Sequence, residues 1–257
     1  MEQLHHRLIR IGLDALAEDF GYALAGGYAV QAHHLVKRVS EDVDFFTPID
    51  RAEDELPRAV ARVVEAYESA GFAVQIVQQA LVFARLLVTD PGNGAQSKVE
   101  LVGDFVHHPP VESSLGPVLH LDDLAAAKTG ALLSRAEVRD AIDVDALMHV
   151  GYTSDRLLRL VAENEVPDLH EYARALARVQ RYTDKQFAAY GVDDEKAVGI
   201  RERFAAWQRA MSDRLRAEGT PAGSPHSRPA DGPSRRSRSD QPPPGPPGPT
   251  PGNRPTR

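Results

Sequence analysis

The chain has 257 residues, with 30 Lys and Arg against 37 Asp and Glu, and therefore a formal net charge of −7. This length predicts one large domain or two small ones. The absence of cysteine excludes disulfides, thiolate metal ligands and a cysteine nucleophile. The sequence has no apolar run long enough to predict a membrane span. The charged N-terminal segment lacks the apolar core of a signal peptide. We therefore expect a cytoplasmic protein that does not enter membranes.

The C-terminal segment 217–257 differs in composition from the rest of the chain. It holds twelve of the nineteen prolines and six arginines against three acids, so its net charge of +3 leaves −10 for residues 1–216. It has no large apolar residue and cannot bury enough surface to offset its loss of entropy, which predicts a disordered tail. Its role is open between a solvated extension and a basic arm around Arg235, Arg236 and Arg238 that touches nucleic acid or a partner.

Hydrophobic spacing predicts alternating helices and strands in the first part of the chain. The predicted helices cover 3–20, 28–37 and 51–70, where apolar side chains recur at helical spacing. The predicted strands cover 22–25, 43–46, 72–78, 81–89 and 98–105, separated by Gly- and Pro-containing turns. This order of elements predicts a small α+β core with a mixed sheet over residues 1–118.

After Pro117 the pattern becomes helical. The predicted helices cover 121–134, 136–149, 154–164, 168–190 and 194–216. The predicted organisation is therefore a core at 1–118, a helical lobe at 119–216 and the disordered tail at 217–257. Ligands of two-lobed proteins tend to bind in the cleft between the lobes.

The most informative positions are two aspartates on one predicted strand. Asp42 and Asp44 alternate, so both side chains point to the same face, where they repel each other unless a cation lies between them. Mg²⁺ takes carboxylate oxygens and substrate phosphates. The Gly26-Gly27 turn leaves backbone N–H groups open to a phosphate. Alone, however, two alternating aspartates more often mark a solvated strand end.

A third acid strengthens the case for a metal site. Glu100 lies within the later strand 98–105, and Asp104, on the same face by the two-residue period, is the alternative third acid. Three carboxylates on adjacent strands are typical of a site that uses two metal ions for phosphoryl transfer.

The cations of the helical segment are also regularly spaced. Intervals of seven, four and four residues separate Lys128, Arg135, Arg139 and Asp143, which puts them on one stripe if a single helix continues through Ser134. Three cations on one stripe repel unless they meet an anion, and a triphosphate accepts the forked hydrogen bonds of arginine. A solvated helix face with intrahelical ion pairs is the alternative.

These patterns together resemble the DNA polymerase beta-type nucleotidyltransferase superfamily, and its AbiEii-type toxin branch in particular. The resemblance covers about residues 20–150 and rests on four stretches. They are Gly26-Gly27-Tyr28-Ala29-Val30, Arg38-Val39-Ser40-Glu41-Asp42-Val43-Asp44-Phe45-Phe46, Lys98-Val99-Glu100, and the segment from Lys128 to Asp143 with Arg135, Arg139 and Asp140.

The resemblance implies a Mg²⁺-dependent enzyme that transfers NMP from a nucleoside triphosphate to an acceptor hydroxyl. Asp42, Asp44 and Glu100 would hold two metal ions, Glu100 would help deprotonate the acceptor, and Lys128 would stabilise the leaving pyrophosphate. The nucleotide site would comprise Gly26, Gly27, Arg38, Ser40, Lys128, Arg135, Arg139 and Asp143. The branch also implies the toxin of a toxin–antitoxin pair, with an antitoxin partner and a tRNA 3′ end or a protein hydroxyl as acceptor.

Two other functions stay open. The charge of −10 on residues 1–216 favours a cationic small-molecule acceptor, as in nucleotidyltransferases that modify aminoglycosides, over RNA, which normally binds a basic face. A catalytically inactive relative that only binds nucleotide or a partner is the other possibility, although the complete set of three acids argues against it.

Overall fold

The computed structural model describes residues 2–38, 40–164 and 168–219. They belong to one compact unit, Met1–Thr220. The predicted tail begins within the last helix, which continues to Gly219, and the rest of it, including the basic arm, lies outside the described residues. No helix in this described part of the chain is long and apolar enough to cross a membrane.

The fold is α+β, as the sequence predicts. The helices are α1 (Glu2–Phe20), α2 (Gly26–Ala32), α3 (Ile49–Ser69), α4 (Leu121–Ser134), α5 (Val138–His149), α6 (Ser154–Ala162), α7 (Leu169–Val179), α8 (Asp184–Ala188) and α9 (Asp194–Gly219). The strands are β1 (Ala23–Leu24), β2 (Asp42–Pro48), β3 (Ala73–Gln79), β4 (Phe83–Thr89), β5 (Gln96–Asp104), β6 (Val111–Ser113) and β7 (Gly116–Val118).

All seven strands form one mixed sheet in the order β3-β4-β5-β2-β1-β7-β6. The pairs β2–β5 and β1–β7 are parallel, and the other neighbours are antiparallel. The parallel pair β2–β5 lies at the centre, so the strand that carries the two aspartates has a hydrogen-bonded neighbour on each side. Both aspartates pair with β5, at Lys98 and Glu100, and the Asp44 carbonyl also accepts a hydrogen bond of 2.8 Å from the Ala25 amide.

Side-chain alternation gives the central strands one apolar face and one polar face. On β2, Val43, Phe45 and Thr47 are buried, whereas Asp42, Asp44 and Phe46 lie on the opposite face. The apolar face packs against α1 and α3, and the Tyr67 hydroxyl of α3 donates a hydrogen bond of 2.9 Å to the Leu8 carbonyl of α1. The polar face is therefore the face left for a functional site.

The hydrophobic side chains form two clusters. The first joins α1, α2, α3 and the sheet and ends with Leu124, and the second runs from Ala125 to Met211 through the helices. The predicted boundary between core and helical lobe at residue 118 stays a prediction, and it lies close to the position where the packing passes from one cluster to the other.

Several predicted element boundaries are wrong. The helix predicted over 28–37 begins at Gly26 and ends at Ala32, so the two glycines lie at the start of the helix, where Gly26 has a left-handed φ of 58°. The helix predicted over 168–190 is two helices, because Thr183 and Gln186 form a capping box that starts α8. The short hairpin of β6 and β7 was not predicted.

The helix assumed to continue through Ser134 also ends there. Ala136 adopts a left-handed conformation with φ of 51°, which no helix continues through. A new helix, α5, then starts at Val138, because the side chains of Glu137 and Asp140 cap its N-terminus. The prediction that the cations lie on one stripe of a single helix is therefore wrong, because they belong to two helices.

Candidate functional site

A polar cavity of about 250 Å³ lies on the polar face of β2 and β5. Its lining contains residues from both sides of the predicted lobe boundary. They are Gly27, Arg38, Ser40, Glu41, Asp42, Asp44, Arg85, Lys98, Glu100, Lys128, Arg135 and Arg139. The cavity thus brings together six cations and four acids, and every candidate site residue except Gly26 and Asp143 lines it.

Strand register places the three candidate metal ligands on one face. Asp44 is directly opposite Glu100 in the parallel pair β2–β5, and Asp42 is opposite Lys98. Asp104 lies at the far end of β5 opposite Pro48, outside the cavity lining, and its carboxylate accepts a hydrogen bond of 2.8 Å from the Phe105 amide. The geometry therefore favours Glu100 over Asp104 as the third acid.

The carboxyl group of Asp44 is held in an environment that disfavours its charge. Burial raises the pKa of Asp44 to about 6, with a contribution from Glu100 and Asp42, although Lys128 acts in the opposite direction. Asp42 Oδ1 is buried without a hydrogen-bond partner among the described residues, and the Lys98 ammonium, at 3.6 Å, is too far for a hydrogen bond. The carboxylates of Asp42 and Asp44 therefore suit a hard divalent cation.

The glycines approach these acids closely. Gly26 has a φ of 58°, and a Cβ there would overlap Oδ2 of Asp44. A Cβ at Gly27 would press on the Ser40 hydroxyl, which donates a hydrogen bond of 3.1 Å to the Asp42 carbonyl. The two glycines therefore keep the backbone at the start of α2 against the carboxylates.

The buried cations form a cluster around Asp143. Arg38 donates two hydrogen bonds to its carboxylate, of 2.7 Å from Nε and 2.6 Å from Nη2, and Lys128 Nζ lies 3.1 Å from Oδ2. Burial alone would raise the pKa of Asp143, but the hydrogen bonds and charges of Arg38 and Lys128 outweigh it and lower the pKa. Asp143 therefore sits behind the cavity lining and fixes the two cations that face the cavity.

The two remaining predicted arginines reach the cavity from the end of α4 and the first turn of α5. Arg135 donates to both oxygens of Asp140 at 2.8 and 3.0 Å, and Arg139 lies 2.8 Å from a Glu137 oxygen. About half of the Arg135 side chain is exposed, against a tenth of that of Lys128. The break in the helix thus leaves the predicted cations at one cavity, but with different degrees of burial.

Sequence reasoning missed Arg85. It lies on β4 directly opposite Glu100, and its Nε donates a hydrogen bond of 2.7 Å to Glu100 Oε1. The signal was available, because the turn around Pro91-Gly92-Asn93-Gly94 fixes the register of the β4–β5 hairpin. Arg85 is the single charged residue of β4, a strand with otherwise apolar or hydroxyl side chains.

A different group of possible metal ligands lies at the start of α4. Ligand atoms of His108, His120 and Asp122 fall within 4.8 Å of one another, the one such set among the described residues, so Asp42, Asp44 and Glu100 do not meet this criterion. Two of these residues, His120 and Asp122, already make hydrogen bonds that stabilise the local structure. His120 Nδ1 accepts from the Asp122 amide at 3.2 Å, and Asp122 Oδ1 accepts from Tyr152 and Arg156.

Comparison with known proteins identifies the family. The family model described as nucleotidyl transferase AbiEii toxin, type IV toxin–antitoxin system, matches residues 7–227. A search of curated proteins found no significant match.

The chain also matches solved structures at low sequence identity. MenT4, a nucleotidyltransferase toxin from Mycobacterium tuberculosis, is 18% identical, with a TM-score of 0.54 over 84% of this chain and 88% of that chain. JHP933 from Helicobacter pylori is 17% identical, with a TM-score of 0.46 over 84% and 94%. The match of the family model over most of the chain, with the cavity lined by its acids and cations, leads to one conclusion: this chain belongs to the AbiEii nucleotidyltransferase toxin family of type IV toxin–antitoxin systems, and its chemistry is nucleotidyl transfer.

Proposed function

We propose that the cavity on β2 and β5 binds a nucleoside triphosphate with Mg²⁺ and transfers NMP to an acceptor hydroxyl. The observation that carries the proposal is the facing arrangement of carboxylates and cations in one cavity. Asp42, Asp44 and Glu100 come from adjacent parallel strands, and Lys128 reaches the same cavity from α4. An enzyme that transfers a charged group needs cations for the phosphates and acids for metal ions in one place.

Asp42 and Asp44 would hold Mg²⁺, and Glu100 would hold a second ion. The fit rests on the unpartnered oxygen of Asp42 and the raised pKa of Asp44, because a divalent cation would relieve both. When bound, Mg²⁺ supplies charge stabilisation for the phosphate oxygens and a template for the attacking and leaving groups.

The triphosphate would lie against the cations on the opposite wall. Lys128 stabilises the negative charge that grows on the leaving pyrophosphate, since a preorganised cation acts most strongly where charge develops. Asp143 holds Lys128 and Arg38 in place from behind, while Arg135 and Arg139 reach the outer phosphates. Gly26, Gly27 and Ser40 shape the wall nearest the metal ligands.

In the chemical step the acceptor oxygen attacks the α-phosphorus. A new phosphorus–oxygen bond forms to the acceptor, and the bond to the bridging oxygen of pyrophosphate breaks. The proton of the acceptor hydroxyl passes to Glu100, the residue paired with Asp44 in the register of β2 and β5.

The acceptor we propose is a tRNA 3′ end or a protein hydroxyl, and the activity is that of the toxin in a pair with an antitoxin. The cations at the opening argue against a cationic small molecule: about half of the Lys98 and Arg135 side chains is exposed there. The proposal therefore gives more weight to the local charge of the cavity than to the net charge of −10 on residues 1–216.

The experiment incubates the protein and Mg²⁺ with each of four α-labelled nucleoside triphosphates, first with a total-RNA extract and then with a protein extract. We expect label from at least one nucleotide in one extract. The labelled fraction identifies the acceptor class, and labelling of a small cationic compound instead would identify the small-molecule alternative. If the protein binds nucleotide tightly but labels no acceptor, the result would contradict the transferase and favour a protein that only binds nucleotide.

Matched variants connect the label to the cavity. Glu100→Gln should reduce the rate at least about a thousandfold, because it removes a metal ligand and the proton acceptor together. Asp104→Asn, four residues along the same strand, is the control and should leave the rate within about twofold. The reverse result would make Asp104 the third acid.

A further inference from the structure

Arg85 contacts Glu100 in a geometry that the family assignment does not explain. Its Nε donates the 2.7 Å hydrogen bond to Glu100 Oε1, so one oxygen of the carboxylate is occupied from the side of β4. The Arg85 guanidinium also lies over the Phe83 ring, with 5.3 Å between Cζ and the ring centroid. Two partners therefore hold the Arg85 guanidinium: the Glu100 carboxylate and the Phe83 ring on the same strand.

This contact has a different character from that of the other carboxylates in the cavity. Lys98 lies 3.6 Å from Asp42, a distance for charge attraction without a hydrogen bond. Arginine, by contrast, has a planar group with fixed donor directions, so it sets the orientation of the carboxylate that it binds. Among the described residues the contacts of the Glu100 carboxylate are made by Oε1, so Oε2 can take another partner.

We propose that Arg85 is a positioning residue for Glu100: it holds Oε1 and presents Oε2 to the second metal ion and to the acceptor proton. The inference rests on the proposed function of Glu100. Partners that orient a metal ligand commonly change metal affinity or activity by 10- to 100-fold when they are removed. Arg85 contacts the ligand and needs no contact with the substrate for this role.

Three variants separate the hydrogen bond from the charge. Arg85→Met removes both, Arg85→Gln keeps an uncharged N–H donor, and Arg85→Lys keeps the charge. Binding of Mn²⁺ in the presence of a non-reactive nucleoside triphosphate analogue is measured by paramagnetic resonance, and kcat and KM are measured by label transfer. Arg58→Met is the matched control, because Arg58 makes a 2.8 Å pair with Glu55 on the exposed surface of α3.

Positioning predicts that Arg85→Met weakens binding of the second Mn²⁺ by 10- to 100-fold and lowers kcat, with KM for the nucleotide within about twofold. Arg85→Gln or Arg85→Lys should recover part of this loss, whereas Arg58→Met should match the wild type. Unchanged or tighter Mn²⁺ binding by Arg85→Met would overturn the inference, since Arg85 would then only compete with the ion. A wild type that binds no Mn²⁺ with nucleotide would overturn the proposed function itself.

Discussion

The two walls of the cavity are stabilised in opposite ways. On the sheet wall, strand register holds Asp42 and Asp44 together. Asp42 Oδ1 is buried without a hydrogen bond from any described residue, and burial raises the pKa of Asp44 to about 6. On the helical wall, Arg38 and Lys128 share one counter-charge, the buried carboxylate of Asp143. Among the described residues no cation forms an ion pair with Asp44 on the sheet wall, whereas Asp143 pairs with two cations behind the helical wall. Removing an acid should consequently have different results on the two walls.

The largest expected effect is on stability, at the helical wall. Asp143→Ala should lower the free energy of unfolding by about 3–5 kcal/mol, because it leaves two buried cations without a counter-charge. Urea denaturation of wild type and variant measures the change. A loss below about 1 kcal/mol would mean that the cluster contributes little, and the proposed contrast between the walls would fail.

Lys128→Ala tests the catalytic part of the same cluster. The Arg38–Asp143 pair remains, so the variant should fold, but the rate of label transfer should fall by about 10- to 1,000-fold, equal to about 1.4–4 kcal/mol of transition-state stabilisation. Lys196→Ala, with 73% of the Lys196 side chain exposed, is the control. A change of less than about twofold in Lys128→Ala would make Lys128 a structural cation only.

On the sheet wall, removing the charge of an acid should raise rather than lower the free energy of unfolding. Because the pKa of Asp44 is raised in the folded state, the folded protein binds the proton more tightly, and stability falls as pH rises from about 4 to about 6. In metal-free protein, Asp44→Asn should therefore raise the free energy of unfolding by about 2–3 kcal/mol at pH 7.5.

The control for this prediction is pH itself. At about pH 3 and below, the Asp44 carboxyl is mostly protonated in both the folded and the unfolded state, so wild type and Asp44→Asn should unfold at nearly the same urea concentration. A variant that is less stable than the wild type at pH 7.5 would show that Asp44 is already compensated in the metal-free protein.

The smallest effect is expected at Glu41, which also lines the cavity. Its side chain is 62% exposed and lies 3.5 Å from Arg139, and exposed pairs of this kind contribute about 0–1 kcal/mol. Glu41→Gln should leave the melting temperature nearly unchanged and the transfer rate within a few-fold. Asp42→Asn, at the next residue, should abolish transfer. Equal losses in the two variants would indicate that net charge, rather than ligand position, governs the cavity.

The sheet wall was largely predictable from sequence, whereas the backbone and the ion pairs that place the cations of the helical wall were not. The two-residue period put Asp42 and Asp44 on one face, and that face is the one turned to the cavity. The predicted helical stripe of cations is interrupted at Ala136. Its left-handed backbone could not be predicted, because Gly and Asn are the residues that usually adopt this conformation. The Arg38–Asp143 pair joins residues 105 positions apart, and no local pattern predicts such a contact.

The most direct test of nucleotidyl transfer follows the two ends of the triphosphate separately. Wild type and Asp44→Asn are incubated with Mg²⁺, the acceptor fraction, and the same nucleotide labelled at either the α- or the γ-phosphate. We predict that the α-label enters the acceptor, that the γ-label appears only in pyrophosphate, and that Asp44→Asn transfers neither. Transfer of the γ-label to the acceptor, or equal transfer by Asp44→Asn, would contradict the account.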